Sequence, residues 1–340
     1  MKKYSVIVPV FNRPNEVDEL LESLARQTYT NFEIVLVEDG STETSEHIVR
    51  RYADRLDIRY FFKKNTGPGD SRNFGMERAQ GDYMVFFDSD CLIPDDYFAE
   101  VERFLSIHPL DTYGGPDNAH SSFTIVQKAI NYAMTSFITT GGVRGKQNNL
   151  DTYQPRSFNM GFTRKVYETV GGFGDIHPGE DPDLSYRIMD AGFRVGLIPD
   201  AYVYHKRRID FSKFLKQVYK FGVVRIILMK WHPERSKIVY TLPSLFLLGT
   251  IALLVLSIAW TPLFLLPLAF LVAMIFIEAM VKTRSLVISG WAIVATFFQL
   301  FGYGYGFLKS FVNVKLLGRD ERKAFPGFFF RQKISDGRAA

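Results

Sequence analysis

Tyr83-Met84-Val85-Phe86-Phe87-Asp88-Ser89-Asp90 is the stretch on which the fold reading turns. Its first half, rich in aromatic residues and carrying a valine, reads as a short buried strand. Asp88 and Asp90 follow two positions apart, at what would be the strand's carboxyl end. In open α/β sheets that edge is where ligands bind. Hard divalent cations favour carboxylate oxygens, and Mg²⁺ typically takes one or two of them plus substrate phosphates. The pair therefore suggests a metal ion holding a diphosphate. Asp and Ser are also ordinary turn residues, so the stretch in isolation would serve equally well as a polar turn.

The flanking sequence alternates strands and helices. Tyr4 to Val8 reads as a buried parallel-type strand stopped by Pro9. A loop through Phe11-Asn12-Arg13-Pro14 precedes a helix from about Asn15 to Gln27, with Val17, Leu20, Leu21 and Leu24 at helical spacing. Phe32 to Val37 is a second strand, ending in Glu38-Asp39-Gly40-Ser41. A helix over Thr44 to Tyr52, a strand over Ile58 to Phe62, and a helix capped by Asp70 after Gly67-Pro68-Gly69 complete the run up to Tyr83. This β-α-β-α order predicts an α/β fold with a mostly parallel, Rossmann-like sheet and right-handed crossovers.

Composition bounds the rest. The chain has 340 residues, 47% hydrophobic and 15% aromatic, enough for about two domains. The apolar excess is concentrated between Thr241 and Val312. Cys91 is the only cysteine, which excludes an intramolecular disulfide and any multi-cysteine metal site, and fits a reducing compartment. Tyr4 to Val10 leads directly into the fold with no secretory signal, so the amino-terminal domain is expected in the cytosol.

Five short motifs occur in order: Val8-Pro9-Val10-Phe11-Asn12, Glu38-Asp39-Gly40-Ser41, Ser71-Arg72-Asn73-Phe74-Gly75, Phe87-Asp88-Ser89-Asp90-Cys91 and Gly179-Glu180-Asp181. Together they resemble the family 2 glycosyltransferases of the GT-A fold, over roughly residues 1 to 210. The resemblance implies a nucleotide-diphosphate sugar bound over the first half of the sheet. It implies that Pro9 and Phe11 line the base pocket and that Asp39 accepts from the base, a role apt for a pure acceptor facing an imide N–H. Arg72 would meet base or phosphate with its fixed fork of donors, although a solvated helix face would also suit an arginine. Gly67, with Gly69, would permit close backbone approach, or simply form a turn. Asp90 is the first metal ligand, with Asp88 nearer the ribose or the metal, and the cofactor is a divalent ion, Mg²⁺ or Mn²⁺. Cys91 is read as a small buried residue.

Phe158-Asn159-Met160-Gly161-Phe162 and Val170-Gly171-Gly172-Phe173 resemble the family's acceptor-facing segment. In the acidic loop that follows, the resemblance makes Asp181 the general base of an inverting transfer, with Glu180 and Asp183 as rivals. Carboxylates also favour a helix's first turn for electrostatic reasons, which Asp183 alone would satisfy. His205, after the strand-like Ala201 to Tyr204, matches a position where some relatives place a further metal or phosphate ligand; a lone histidine is as readily structural.

From Lys206 to Lys237 basic residues dominate, and Phe211, Phe214, Leu215, Val218 and Phe221 fall at helical spacing. A basic amphipathic helix over 211–240 beside hydrophobic spans reads as membrane-surface binding. Segments 241–259, 263–281 and 286–312 are apolar and long enough to cross hydrocarbon, the last interrupted by Gly302-Tyr303-Gly304-Tyr305-Gly306. Glu278, near the end of the second segment beside Lys282, suits an interfacial position. Three full spans would put the basic tail, 313–340, outside, whereas its lysines and arginines favour the inside.

The expected protein is a multi-pass enzyme of the inner, cytoplasmic membrane, its catalytic domain on the cytosolic side. It moves one sugar to a lipid-linked saccharide in surface-polysaccharide assembly, without nucleic-acid partners. The rivals are a polyprenyl-phosphate glycosyltransferase, disfavoured by Asp90-Cys91-Leu92, a sugar nucleotidyltransferase, which would need a glycine-rich loop after the first strand, and a degenerate membrane scaffold. Loops between Gly114 and Asn149 are expected to set the substrate pocket.

Overall fold

In the computed structural model, which describes residues 3–118, 123–140, 153–205 and 210–330, the apolar runs are strands β1 (Tyr4–Val10), β2 (Phe32–Asp39), β3 (Ile58–Lys63) and β4 (Tyr83–Phe87). Helices α1 (Pro14–Ala25), α2 (Glu46–Arg51) and α3 (Pro68–Met76) connect them, and all three strand pairs are parallel. β2 and β4 are buried along their whole length, as strands covered on both faces must be. α1 buries Val17, Leu20, Leu21 and Leu24, each such side chain stabilising by roughly 1.5–3 kcal/mol. Pro9 does not stop β1, contrary to the sequence expectation. The β1–β4 ladder ends at Ile7–Phe86 while β2 pairs on to Val10, so Pro9 sits where the strand is paired on one side only.

Beyond β4 come β5 (Cys91–Leu92), α4 (Tyr97–Ile107), β6 (Thr112–Gly114), β7 (Asp117–Asn118), α5 (Ile125–Thr135) and α6 (Phe137–Thr140). Then follow β8 (Asn159–Thr163), α7 (Arg164–Val170), α8 (Glu180–Asp190), β9 (Val195–Leu197) and β10 (Val203–His205). The main sheet has the order β3-β2-β1-β4-β8-β6-β9, and β5, β10 and β7 form a small second sheet. β8 runs antiparallel to both β4 and β6. The order reverses direction between β1 and β4, and ligands bind in the crevice at such a switch point. Part of the segment expected to face the acceptor, Asn159 to Phe162, lies in this strand, where Met160 and Phe162 pack in the core with Phe86.

The described residues divide into two compact units. One holds 3–118, 153–205 and 327–330; the other holds 123–140 and 210–326. The domain expected as a continuous 1–210 is therefore discontinuous. It gives up 123–140 and regains the chain at Gly327, where an antiparallel bridge joins Phe329 to Ile176.

The second unit contains α5, α6 and the long helices α9 (Phe211–Trp231), α10 (Leu242–Ala259), α11 (Leu266–Thr283) and α12 (Leu286–Ser310). Three stretches, Ile238–Ala259, Pro262–Thr283 and Leu286–Leu316, are long and apolar enough to cross a membrane. Of the stretch 114–149, expected to hold substrate-pocket loops, the described part at 123–140 is mainly α5 and α6, and 119–122 and 141–149 lie outside the described residues. Thr124 and Gln127 form a reciprocal capping box, and Ile130, Ala133 and Met134 pack with Phe214, Val218 and Ala295. Glu278 accepts hydrogen bonds from Tyr132 Oη (2.6 Å), Ser136 and Lys282. It is a satisfied acid joining α11 to α5.

The Gly-Tyr-Gly-Tyr-Gly run does not interrupt α12. A methyl built on Gly306 would lie 2.2 Å from Tyr219 O, one on Gly222 would lie 2.1 Å from Tyr303 O, and one on Gly304 would lie 2.5 Å from Pro243 O. These glycines are contact points where α9 and the start of α10 press backbone against backbone. Gly306→Leu is thus expected to destabilise this unit by at least the ~1–3 kcal/mol of an overpacked core, since a backbone carbonyl cannot rotate aside. A thermal melt of the purified chain in detergent checks it; an unchanged midpoint would contradict the tight crossing.

Candidate active site at the carboxyl edge of the sheet

The residues singled out from the sequence in this unit lie at or just past the carboxyl ends of β1, β2 and β4, at the start of or within α3, and at the start of α8. Arg13, just after β1, places Nη1 2.6 Å from Asp90 Oδ2 across the crevice. Burial disfavours the Arg13 charge, yet Asp90 beside it holds its pKa above the ordinary value. Phe11, also just past β1, is half-exposed. Asn12, at φ +52°, accepts from the backbone N–H groups of Thr42 (2.8 Å) and Glu43 (3.1 Å), tying the loop after β1 to the loop after β2.

Asp39 closes β2. Its Oδ1 accepts from Lys63 Nζ (2.6 Å) and Thr66 N (3.0 Å), and its Oδ2 from Gly67 N (2.9 Å). A carboxylate has about four acceptor sites, so capacity remains for one further donor. Gly67 has φ +97° and opens α3, which carries Arg72.

Arg72 is the hub. Its guanidinium is buried, with Nη2 2.7 Å from Asp88 Oδ1 and Nη1 3.4 Å from Glu180 Oε1, and it lies over the Phe173 ring. Burial disfavours its charge, but Asp88, Asp181 and Glu180 hold its pKa above the ordinary value. The sequence alternative of a solvated helix face does not apply to a side chain 4% exposed. Arg72→Met would leave the buried Glu180 carboxylate short of its counter-charge. We expect a loss of roughly 3–5 kcal/mol, the size found when one member of a buried pair is removed, read in a thermal or denaturant melt. A variant as stable as the parent would contradict this arrangement.

In the acidic loop the three carboxylates are set apart. Glu180 opposes His177 Nδ1 at 2.9 Å. Burial pushes its pKa up, but His177 and Arg72 outweigh this and hold it below the ordinary value. Asp183 accepts from Arg187 Nε (3.0 Å), whose other nitrogens donate to the carbonyls of Val170 and Gly172. It clamps α8 to the preceding turn. Asp181 has an Oδ1 that is buried without a hydrogen-bond partner. Burial first, and then the Glu180 charge, push its pKa up to about 6, against the opposing pull of Arg72 and Ser157. One carboxylate of the three is therefore poised to titrate near neutrality, a mark of functional sites.

On the other side of the crevice, His205 pairs with Cys91 in the β10–β5 ladder, one residue from Asp90; its side chain lies outside the described residues, as do Lys206, Arg207 and Arg208 of the basic collar. Cys91 is buried, with Sγ toward Phe158 O at 3.5 Å, and burial pushes its thiol pKa well up. Arg13, Lys63 and His177 were not found by sequence reasoning. The one signal available was position: each stands next to a motif carboxylate or its loop.

Residues 5–171 match the family model described as glycosyl transferase family 2. An uncharacterized glycosyltransferase of Rickettsia bellii is 43% identical over 26% of this chain and 13% of its own length. One from Haemophilus influenzae is 38% identical over 34% of this chain and 47% of its own length. The poly(ribitol-phosphate) β-N-acetylglucosaminyltransferase TarS of Staphylococcus aureus is 36% identical over 33% of this chain and 20% of its own. The matched part is thus under half the length of each of these relatives. Among solved structures, a mannosyltransferase from Pyrobaculum calidifontis, in complex with GDP-Man and Mn²⁺, superposes with a TM-score of 0.61. It covers 88% of this chain and 87% of its own at 19% identity, which is a likeness of fold.

Proposed function

We propose, from the premise that residues 5–171 are a glycosyltransferase family 2 domain of the GT-A fold, that this chain transfers one sugar, with inversion, from a nucleotide-diphosphate sugar to a lipid-linked saccharide. The observation that carries the reading is the Arg72 bridge: one buried guanidinium joins Asp88 of the D-x-D to Glu180 of the acidic loop, with Asp181 beside it, lacking a partner on Oδ1.

The donor's nucleotide lies at the switch point. Phe11 offers a ring face and Pro9 an apolar wall; Asp39, held by Lys63 and the Gly67 amide, keeps an acceptor site for the base. Asp90 and Asp88 fit a divalent cation, Mg²⁺ or Mn²⁺, because they are hard oxygen donors at a partly solvated edge; each is paired here with an arginine, Arg13 and Arg72, with which an ion would share those oxygens. When bound, such an ion neutralises the charge that grows on the departing nucleotide diphosphate. His205, whose backbone pairs with Cys91 in the ladder, is a further ligand only by the family resemblance. Arg72 orients Asp88 and screens the growing negative charge.

Asp181 takes the proton from the acceptor hydroxyl. As it does so the hydroxyl oxygen bonds to the anomeric carbon and the bond to the diphosphate oxygen breaks on the opposite face, inverting the centre. Glu180 and Asp183 are committed to His177 with Arg72 and to Arg187 respectively, which favours Asp181 over the two rivals. A base must be ionised to act. Transfer is therefore expected to rise as pH is raised through about 6 and to level off above it. A single-turnover profile flat across that range would contradict the assignment.

Membrane association is supported by the three apolar stretches, and the cytosolic face of the inner membrane by the basic residues that flank them. The chain leaves the catalytic unit after His205 and pairs with it again at Phe329, which supports an even number of complete crossings between the two. α10 and α11, joined by the uncharged Trp260–Leu265 turn, are the two crossings we infer. α12, less apolar and more covered by protein, lies at the interface, so the basic residues from Lys309 onward stay on the cytosolic side. A cysteine at Leu263 should be labelled from outside intact cells, and one at Asn313 should not.

The acceptor is tested by incubating membranes holding the chain with radiolabelled nucleotide sugars. Label appearing in the solvent-extractable lipid fraction supports the reading; label only in water-soluble product contradicts a lipid-linked acceptor. Transfer to polyprenyl phosphate alone would favour the alternative of a carrier-loading enzyme.

A further inference from the structure

The chain's last described residues return to the catalytic unit at one place. Phe330 N donates to Asp175 O (2.9 Å), and His177 N donates to Phe328 O (2.7 Å), on either side of the Ile176–Phe329 bridge. The segment so tied, 175–179, has no helix or strand of its own and leads directly into Glu180 and Asp181. The Phe330 ring then meets both sides of the site. Its centroid lies 5.9 Å from the His177 ring. A methyl built on Gly67 would lie 2.4 Å from its ring carbons, so the absence of a side chain at Gly67 is what admits it. Gly67 donates to Asp39, and His177 opposes Glu180, which in turn meets Arg72. One aromatic side chain thus touches the loop bearing the donor-side contacts and the loop bearing the acidic group.

We propose that Gly327–Phe330 is part of the active site, with Phe330 a positioning residue that fixes the His177–Glu180–Asp181 loop against the donor side. The step affected rests on the glycosyltransferase reading; the holding of the loop does not. A loop without regular structure is kept in one geometry only by what packs on it. A displacement of about 1 Å at a reacting group can cost on the order of 10²-fold in rate. The tail therefore acts on transfer more than on donor binding.

Three measurements on the full chain in detergent decide it. In hydrogen exchange, Phe330→Ala should speed exchange of the amides from Ile176 to Asp181, and Phe330→Tyr, which keeps the ring, should restore protection; unchanged exchange in Phe330→Ala overturns the proposal. In single-turnover transfer at saturating donor, Phe330→Ala should fall on the order of 10²-fold, while GDP or UDP binding with Mn²⁺ stays within a few-fold of wild type. Equal losses in both would assign the residue to the donor pocket instead and overturn the positioning role. Finally, Ile176→Cys with Phe329→Cys should cross-link on mild oxidation, the native Cys91 being buried; a folded chain that does not cross-link overturns the pairing. If the wild type transfers no sugar from any donor, the glycosyltransferase reading fails, while exchange and cross-linking still decide the tail's role.

Discussion

Asp181→Asn is expected to bind donor as the parent does and to lose transfer by about 10²–10⁴-fold, the effect typical of a removed general base. Asparagine is nearly isosteric and polar, so the packing of α8 should hold. It cannot take a proton from the acceptor hydroxyl, and the one oxygen it keeps in the place of Oδ1 or Oδ2 is no base. The geometry also fixes the control. Asp183 is occupied by Arg187, which in turn holds the carbonyls of Val170 and Gly172. Asp183→Asn should lower stability and leave single-turnover transfer much closer to the parent. The reverse pattern, with Asp183→Asn inactive and Asp181→Asn near wild type, would move the base two residues along the helix.

Asp90→Ala is the second large effect. Asp90 faces Arg13 across the switch point at 2.6 Å, and the substitution removes the carboxylate proposed to hold the cation while leaving that arginine in place. Turnover should be abolished, and the metal-dependent part of donor affinity should disappear with it. The residual, metal-independent binding should persist, since Phe11, Asp39 and Arg72 are untouched. A variant that keeps normal metal-dependent donor binding would show that the D-x-D is not the metal site.

The two carboxylate motifs were legible because strands covered on both faces leave little ambiguity. Tyr83 to Phe87 and Phe32 to Val37 are apolar without a break, so their ends, and the acids just past them, could be placed by counting. The resemblance placed Asp181 in the acidic loop, but the contact that sets it apart from Asp183 was not legible. That depends on Arg187, one turn further along α8, reaching back to Asp183. The helices within the 114–149 stretch were not legible because their apolar residues serve a second unit far along the chain, where Ile130 and Met134 meet Phe214 and Ala295. The glycines of α12 suggest a break because glycine disfavours helices in isolation; here Gly306 and Gly304 meet the carbonyls of Tyr219 and Pro243, contacts that require them. The tail gave no signal, since Gly327 to Phe330 has no pattern until its partner strand at Ile176 is known.

We propose that one carboxylate edge, joined by Arg72, performs metal-assisted sugar transfer. Nucleotide release tests it most directly, measured for the wild type, Asp90→Ala and Asp181→Asn against a panel of UDP-, GDP- and dTDP-sugars in membranes that contain acceptor. The account predicts release from at least one donor by the wild type, its loss in chelator and its recovery with Mg²⁺ or Mn²⁺, with both variants far below the parent. Release from no donor, or release that neither chelator nor either substitution diminishes, would contradict it.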